Sequence, residues 1–157
     1  MVDTYSYVDQ NPLLFDDPDG LSPTCANCDA QLPPPPLDEL ALLCFAESSN
    51  HCKNSVAERR AITDSVYNRI DANKSYWGGN TVKGVIEAPN QYLGYNSPEY
   101  RRAQDPASLD KKSCAKLKDC IDAAKASSNG VKNNFNSFNQ TPGRGRKKIC
   151  RHFFRKL

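Results

Sequence analysis

A run of four prolines, Pro33 to Pro36, divides this chain into two parts of different character. Proline lacks a backbone N–H and fixes φ, so consecutive prolines form a stiff polyproline segment. Before the run, Pro, Asp, Asn and Gly recur, and residues 1–36 show no pattern typical of a packed domain. Behind it, apolar residues recur at helical spacing. We therefore predict one folded domain over residues 37–157, preceded by an extended Pro-rich segment.

Two helices are predicted at the start of this domain. The first covers about residues 37–48, because it begins directly after the last proline and ends in a polar Ser-Ser-Asn stretch. The second starts with Ser55 and Glu58, whose spacing is that of a capping box. It ends at Asn73, and its apolar stripe is Ile62, Val66 and Ile70.

Further helices are expected towards the C-terminus. A short helix at about residues 81–88 ends at Pro89, and another begins after Ser97. A longer helix is capped by Ser108 and ends near residue 128. No stretch alternates clearly enough between apolar and polar residues to predict a strand. No apolar run approaches the roughly 20 residues that a membrane span needs. We therefore predict an all-α, soluble domain without a membrane span.

Seven cysteines are many for a cytosolic protein of this size. Cys114 and Cys120 are six residues apart, and a separation of about 240° around a helix prevents a bond between them. Cys25 and Cys28 have the gap of a zinc knuckle or a redox pair, but no second such pair follows. Disulfides or buried thiols explain the cysteines better than a metal site, and we predict no metal and no cofactor.

The net charge of +3 is unevenly distributed, because seven of the last fourteen residues are Lys or Arg. Such a segment can bind an anionic polymer or surface. It can equally be a solvated basic end that keeps the protein soluble. The sequence leaves both interpretations open.

Glu47 is the strongest candidate for a catalytic residue. It closes an apolar run, and helical spacing places it on the same stripe as Leu40, Leu43 and Cys44. A carboxylate on an apolar helix face is costly to ionise, so its pKa is expected to rise towards the value that a general acid needs. The alternative is a carboxylate at a fraying helix end that points into water.

The N-terminal segment carries a specific motif. It reads YSYVDQNPL at residues 5–13 and DPDGL at 17–21, and it resembles the end of the conserved core of Rhs-repeat proteins. The resemblance implies that residues 1–21 end that core, that cleavage follows Leu21, and that a linker (22–36) then leads to a toxin domain. It also implies three partners: the parent Rhs shell, a secretion apparatus such as type VI secretion, and a cognate immunity protein.

A second resemblance covers about residues 40–102. The SleB-type cell wall hydrolases have similar motifs in the same order and with comparable gaps, and this chain reads LLCFAES at 42–48, RAITDSVYNRI at 60–70, VKGVI at 82–86 and NQY at 90–92. HFF at 152–154 is similar to a motif near the end of that family. The family implies a lysozyme-like helical fold, peptidoglycan glycan strands as the substrate and Glu47 as the catalytic acid. Ser48 and Tyr92 depart from the family pattern.

Several residues are predicted to line or support a sugar groove: Asn68, Arg69, Gln91, Tyr92 and Tyr95. By the resemblance, Asn68 and Arg69 orient the acid or brace the loops, although Arg69 is also suited to a surface ion pair. An amide such as Gln91 hydrogen-bonds N-acetyl groups, and aromatic rings such as Tyr92 and Tyr95 pack against the apolar face of a sugar. Trp77 is a candidate of the same kind, and Trp77 and Tyr95 are equally suited to the core.

A second catalytic carboxylate is difficult to identify. Glu58 is assigned to the capping box, Asp64 lies off the apolar stripe and is expected to be solvated, and Glu87 is the best reserve. Cleavage of a β-1,4 glycosidic bond needs a proton for the leaving oxygen, and a lytic transglycosylase can use one Glu as both acid and base. We therefore favour a lytic transglycosylase over a muramidase.

Three other functions stay open: a metal-dependent nuclease toxin, a peptidoglycan amidase and a non-catalytic wall-binding module. The chain has two histidines and no carboxylate cluster suited to a divalent metal, which argues against a nuclease and a nucleic-acid partner. Amidases commonly need zinc or a Cys-His pair. Disulfides form in an oxidising periplasm, where peptidoglycan lies, so we predict a delivered effector that acts in the periplasm of the target bacterium.

Overall fold

The computed structural model describes residues 27–50, 52–142 and 145–157. The motif at residues 5–21, the expected cleavage after Leu21 and the pairing of Cys25 lie outside the described residues. In the described part of the chain there are five α-helices: α1 Leu37–Glu47, α2 Ser55–Ala72, α3 Val82–Glu87, α4 Pro98–Ala103 and α5 Lys111–Ser128. None of these helices combines the length and hydropathy that a bilayer-spanning helix needs.

The helix ends agree with the sequence at some points and differ at others. Asn73 ends α2 in the left-handed conformation with φ 47°, and Ser97 caps α4 by accepting a hydrogen bond from the Tyr100 backbone N–H at 3.2 Å. The cap of α5 is Asp110, which accepts from the Ser113 backbone N–H at 2.9 Å, so the prediction of Ser108 as the cap is wrong. The chain first makes a short 3₁₀ turn, Pro106–Ser108, before α5 begins.

The main core lies between α1, α2 and α5, with α3 and α4 covering its sides. Every residue of α1 from Leu40 to Phe45 is buried, so this helix is surrounded by the rest of the domain and does not lie on its surface. The predicted stripe of α2 faces inward, since Ile62 and Val66 are fully buried. Burial of this kind stabilises the fold by about 1.5–3 kcal/mol for each large aliphatic side chain.

A small sheet corrects the expectation of an all-α domain. Its three antiparallel strands lie in the order β1-β3-β2: β1 Ser137–Asn139, β2 Lys147–Ile149 and β3 His152–Arg155. Ile149 and Phe154 pack against Ala61 and Ile62 of α2 in a second core cluster. The domain is therefore mostly helical with one sheet. Strands of three or four residues are too short to show an alternating pattern in the sequence.

The segment before α1 packs against the helical body. Cys28 and Ala30 belong to the main core, and Pro33 is buried. Part of the predicted Pro-rich linker, residues 28–33, therefore contacts the helical body. A covalent bond and apolar contacts hold the segment in place despite its lack of helix or strand.

Cysteines from the first part of the domain are bonded to cysteines from the last part. Each pair has a Cα–Cα distance of 5.5 or 5.6 Å, and the pairs are Cys28–Cys114, Cys44–Cys120 and Cys52–Cys150. Cys114 and Cys120 are not bonded to each other, as the helical spacing predicted. Three such bonds are compatible with an extracellular or periplasmic protein.

Candidate active site

Glu47 is the last residue of α1 and is half-buried. Its Oε2 accepts a hydrogen bond from the Gly94 backbone N–H at 2.5 Å. A side chain at position 94 does not fit, because a Cβ there would lie 2.9 Å from Cγ and Oε2 of Glu47. The loop that follows α3 therefore approaches Glu47 through a glycine and fixes one of its two carboxylate oxygens.

Two cations satisfy the backbone carbonyls just beyond Glu47. Lys116 Nζ donates to the Ser48 carbonyl at 3.0 Å, and an Arg59 guanidinium nitrogen donates to the Ser49 carbonyl at 3.2 Å. Both side chains are buried. They tie the two residues directly after α1 to α5 and α2. Fraying of this helix end, the alternative interpretation of Glu47, is opposed by these contacts.

Burial raises the pKa of Glu47 above its ordinary value of 4.5. The hydrogen bond from Gly94 and electrostatic interactions with His152 and Arg151 act in the opposite direction without cancelling the effect. The direction expected from the sequence is confirmed. A carboxyl group that keeps its proton closer to neutral pH is suited to donate it to a leaving group.

A cleft of about 440 Å³ lies beside Glu47. The residues that line it come from α1, α2, the loop after α3, β1 with the turn that follows it, and β3: Glu47, Arg69, Gln91, Tyr92, Leu93, Phe138, Asn139, Gln140, Thr141 and His152. Four of them, Glu47, Arg69, Gln91 and Tyr92, are residues that the sequence predicted for one site. Glu47 is the only carboxylate among the described residues that line this cleft.

Arg69 braces the wall of the cleft. Its Nε donates to the Asn136 carbonyl at 2.7 Å, and a terminal nitrogen donates to Gln91 Oε1 at 3.1 Å. The guanidinium carbon lies 5.1 Å from the ring centroid of Trp77 and 4.8 Å from that of Tyr92. Arg69 thus joins α2, the loop after α3 and the segment before β1, so the surface ion pair considered from the sequence is wrong.

The aromatic candidates are more deeply placed than the sequence suggested. Tyr92 lines the cleft, but its hydroxyl group is hydrogen-bonded to Ser65 Oγ at 3.1 Å within the protein. Trp77 is only 2% exposed and packs on Arg69, so it serves the core. Leu93, in contrast, is 91% exposed at the rim of the cleft. Tyr92 therefore forms a wall, and Leu93 offers an apolar surface at the entrance.

Asn68 and Tyr95 do not line the cleft. The Asn68 amide donates to the carbonyls of Asn133 and Phe135 at 2.8 and 2.7 Å, which ties the segment before β1 to α2. Tyr95 packs edge-on against Tyr100 with ring centroids 5.3 Å apart. Asn68 therefore braces the segment before β1, and bracing a loop was one of the two roles expected for it. Tyr95 belongs to the neighbouring core.

Two carboxylates of α2 have partners that the sequence did not reveal. Glu58 is fully buried and turns inward, while the N-cap of α2 is Asn54 without a side-chain cap bond, so the capping box is wrong. Asp64 is also fully buried and accepts hydrogen bonds from Ser127 Oγ at 2.6 Å and from the Lys132 backbone N–H at 2.9 Å. The expectation that Asp64 is solvated is therefore wrong.

Glu87, the reserve second acid, lies outside the cleft. It forms an ion pair with Lys83 and interacts with Glu39, whose pKa is raised to about 7 by burial and by the neighbouring Glu87 carboxyl. This pair of carboxyl groups is separate from Glu47, since neither residue lines the cleft. The structure therefore brings no second carboxylate to Glu47 in the part of the chain that it describes.

A larger cavity of about 500 Å³ lies between α2 and α5. It is lined by side chains of both charges, and two of these are engaged in ion pairs, Asp119 with Arg59 and Arg60 with Asp64. We assign the candidate site to the smaller cleft because it contains a carboxyl group with a raised pKa. Within the described ranges, no group of three or more His, Cys, Asp or Glu side chains is arranged to hold a metal ion.

No protein-family model, curated protein or solved structure matches this chain. The two resemblances drawn from its motifs therefore stay predictions.

Proposed function

We propose that this protein is an antibacterial toxin that cleaves the β-1,4 glycan backbone of peptidoglycan, with Glu47 as the general acid. Lytic transglycosylase chemistry is favoured over hydrolysis. One observation carries the proposal: a half-buried carboxyl group with a raised pKa lines a cleft together with Arg69, Gln91 and Tyr92. The volume of about 440 Å³ lies within the range of about 300–1,000 Å³ that is usual for ligand sites.

The cleft supplies the groups that this reaction needs. Glu47 donates its proton to the leaving glycosidic oxygen as the bond to the anomeric carbon breaks, which avoids an alkoxide leaving group. Asn139 and Gln140 offer amides for the N-acetyl groups of the substrate, and Leu93 offers an apolar surface for a sugar ring at the rim. Gln91 is held by Arg69, so its orientation is set before substrate binds.

The resemblance of the N-terminal motif to Rhs-repeat proteins supports delivery by a contact-dependent system. The toxin domain would act in the periplasm of the target cell, where its disulfides are stable. A cognate immunity protein would protect the producing cell, and the exposed rim around Leu93 is a surface that such a protein can cover.

Digestion of purified peptidoglycan by the full chain, followed by mass spectrometry of the soluble products, tests the proposal. Fragments with a 1,6-anhydro end indicate a transglycosylase, a reducing end indicates a hydrolase, and a free stem peptide indicates an amidase. We expect Glu47→Gln to reduce glycan cleavage by about 100-fold or more, the usual contribution of a general acid.

The matched control is Glu99→Gln, because Glu99 is an exposed carboxylate that forms an ion pair with Arg102 at 3.0 Å. It should cleave at the wild-type rate. If Glu47→Gln dissolved peptidoglycan as fast as the wild type, the proposed function would be wrong. Binding to sacculi without any product, in wild type and variant alike, would identify a wall-binding module instead.

A further inference from the structure

A buried Glu-His pair adjoins the cleft, because its histidine, His152, lines the cleft. His152 Nδ1 is 2.7 Å from Glu58 Oε2, and both residues are at most 1% exposed. The other contacts of Glu58 come from Ser49, whose backbone N–H donates at 2.7 Å and whose hydroxyl donates at 2.9 Å. The carboxylate is thus fixed by three hydrogen bonds, and it in turn fixes the ring of His152.

The contact with Glu58 determines which ring nitrogen of His152 carries a proton. Burial alone raises the pKa of Glu58, but the hydrogen bonds from His152 and Ser49 outweigh it and hold the pKa below 4.5. An ionised carboxylate only accepts hydrogen bonds, so Nδ1 of His152 must be the donor. In the neutral imidazole, Nε2 then has a free lone pair and is the nitrogen available to a ligand.

His152 also lines the cleft that contains Glu47. Its ring packs edge-on against Phe138, with centroids 5.1 Å apart, and against Phe154 at 6.1 Å. These contacts leave it little freedom to rotate. The charged groups around it are Glu58 of α2 in direct contact, Glu47 of α1 and Arg69 of α2 in the shared cleft, and Arg151 as its chain neighbour.

We propose that His152 is the second catalytic residue of this site, a general base that Glu58 holds in the Nδ1–H form. This inference rests on the proposed function of Glu47. The bond between the anomeric carbon and the glycosidic oxygen breaks, and the proton of Glu47 passes to that oxygen. A hydroxyl oxygen, from the sugar's own 6-position or from water, bonds to the anomeric carbon and gives its proton to His152 Nε2. Exchange with solvent then returns both residues to their starting forms.

A general base at His152 accounts for the second proton transfer of the reaction. Glu47 has no second carboxylate beside it in the described chain, and a single Glu must otherwise act as acid and base in turn. A base separate from the acid divides the two proton transfers between two groups. Glu58 is suited to support it, because its negative charge stabilises the imidazolium ion that forms when Nε2 accepts a proton.

A purely structural role would need fewer atoms of His152 than a catalytic role. To satisfy Glu58, the side chain needs only a donor at the position of Nδ1. The amide nitrogen of Asn occupies nearly that position, whereas Asn has nothing at the position of Nε2. His152→Asn therefore retains the structural contact and removes Nε2, the proposed proton acceptor.

The first test measures glycan cleavage and thermal stability of His152→Asn in the full chain. We expect cleavage to fall by about 100-fold, as for loss of a general base, with a melting temperature close to that of the wild type. A folded variant that cleaves within about tenfold of the wild type would overturn the assignment.

The second test keeps His152 in place and is independent of the folding of that variant. Because the chain has two histidines, His51→Gln leaves His152 as the only one, and ¹⁵N NMR of histidine-labelled protein reports its two ring nitrogens. We expect a proton on Nδ1, none on Nε2, and a shift of the Nε2 signal when β-1,4-linked tri-N-acetylglucosamine is added. A proton on Nε2 in the neutral ring, or no response to saturating trisaccharide, would contradict the proposal.

The two proposals fail in different ways. If Glu47→Gln is inactive while folded His152→Asn is active, Glu47 remains the acid and only the role of His152 is lost. If the wild type releases no glycan fragments at all, the proposed function itself is wrong.

Discussion

Glu47 shares the cleft with His152, and Glu58 is hydrogen-bonded to His152. The surroundings of these two shielded carboxyl groups have opposite effects on their pKa values. Glu58 accepts three hydrogen bonds, from His152 and from two donors of Ser49, whereas Glu47 accepts one from the Gly94 backbone N–H among the described residues. The pKa of Glu47 is raised and that of Glu58 is lowered. Burial with few partners produces a proton donor, and burial with many partners produces a fixed anion.

The largest effect that separates the two residues is on stability. Glu58→Ala leaves the His152 ring and the Ser49 N–H buried without their acceptor, so we expect it to cost about 3–5 kcal/mol of unfolding free energy. Urea denaturation measures this loss. The exposed Glu99→Ala serves as the control and should change stability by less than about 0.5 kcal/mol. A similar stability for both variants would remove the distinction between Glu58 and a surface carboxylate.

Gly94 tests how closely Glu47 must be positioned. Gly94→Ala places a Cβ only 2.9 Å from Cγ and Oε2 of Glu47, so the Glu47 side chain must shift. A displacement of about 1 Å at a reacting group can reduce the rate by about 100-fold. Steady-state glycan cleavage measures the effect. In the Glu47→Gln background the same substitution should cause little further loss, because the acid is already gone. Independent, additive losses would show that Gly94 acts by another route.

Gln91 is expected to have a smaller effect. Gln91→Ala removes the acceptor for Arg69 and loosens the wall of the cleft, so kcat/KM should fall by about five- to thirtyfold, equivalent to about 1–2 kcal/mol. Gln104→Ala is the matched control, since Gln104 is exposed at the end of α4. Equal activity in the two variants would mean that the held amide plays no part in substrate binding.

The smallest expected effect is on the pH dependence of stability, for which we predict a direction and no magnitude. The folded pKa of Glu47 is raised, so above pH 4.5 the unfolded chain ionises more readily and the fold loses stability. Glu47→Gln should therefore be more stable than the wild type at about pH 8, with the difference closing towards about pH 3. Melting temperatures across this range measure it.

Glu58 should show the opposite dependence. Its folded pKa is lowered, so its contribution to stability is present above pH 4.5 and is lost as the pH falls through the folded pKa. The stability difference between the wild type and Glu58→Ala should therefore narrow in acid. A Glu47→Gln variant that was less stable than the wild type at about pH 8, with a deficit that closed in acid, would instead show that the two residues respond alike.

The helices were predictable because their signals are local. The proline run fixed the start of α1 at Leu37, and the spacing of Ile62 and Val66 identified the buried face of α2. The sheet was not predictable in this way. β2 is rich in exposed lysine and β1 and β3 are very short, so their pairing depends on contacts between distant parts of the chain.

The candidate site was predictable in part. Residues in the motif stretches, Glu47, Arg69, Gln91 and Tyr92, lie in one cleft. His152 also belongs to a motif stretch, but it was given no role in the site because it comes from the undetected sheet. Glu58 carried a signal that was overlooked. It lies four residues before Ile62 and so continues the buried stripe of α2, the same argument that identified Glu47 on α1.

The order of the cysteine pairs has a consequence for how the chain matures. The first, second and third of the bonded cysteines join the fourth, fifth and sixth in the same sequence order, with 76 to 98 residues between partners. While Cys28, Cys44 and Cys52 emerge from a ribosome or a translocation channel, none of their correct partners has yet followed. Early oxidation can join them only to one another or to Cys25, and such links must be exchanged later. The first correct bond therefore has to wait until Cys114 has emerged, and the last until Cys150 has emerged.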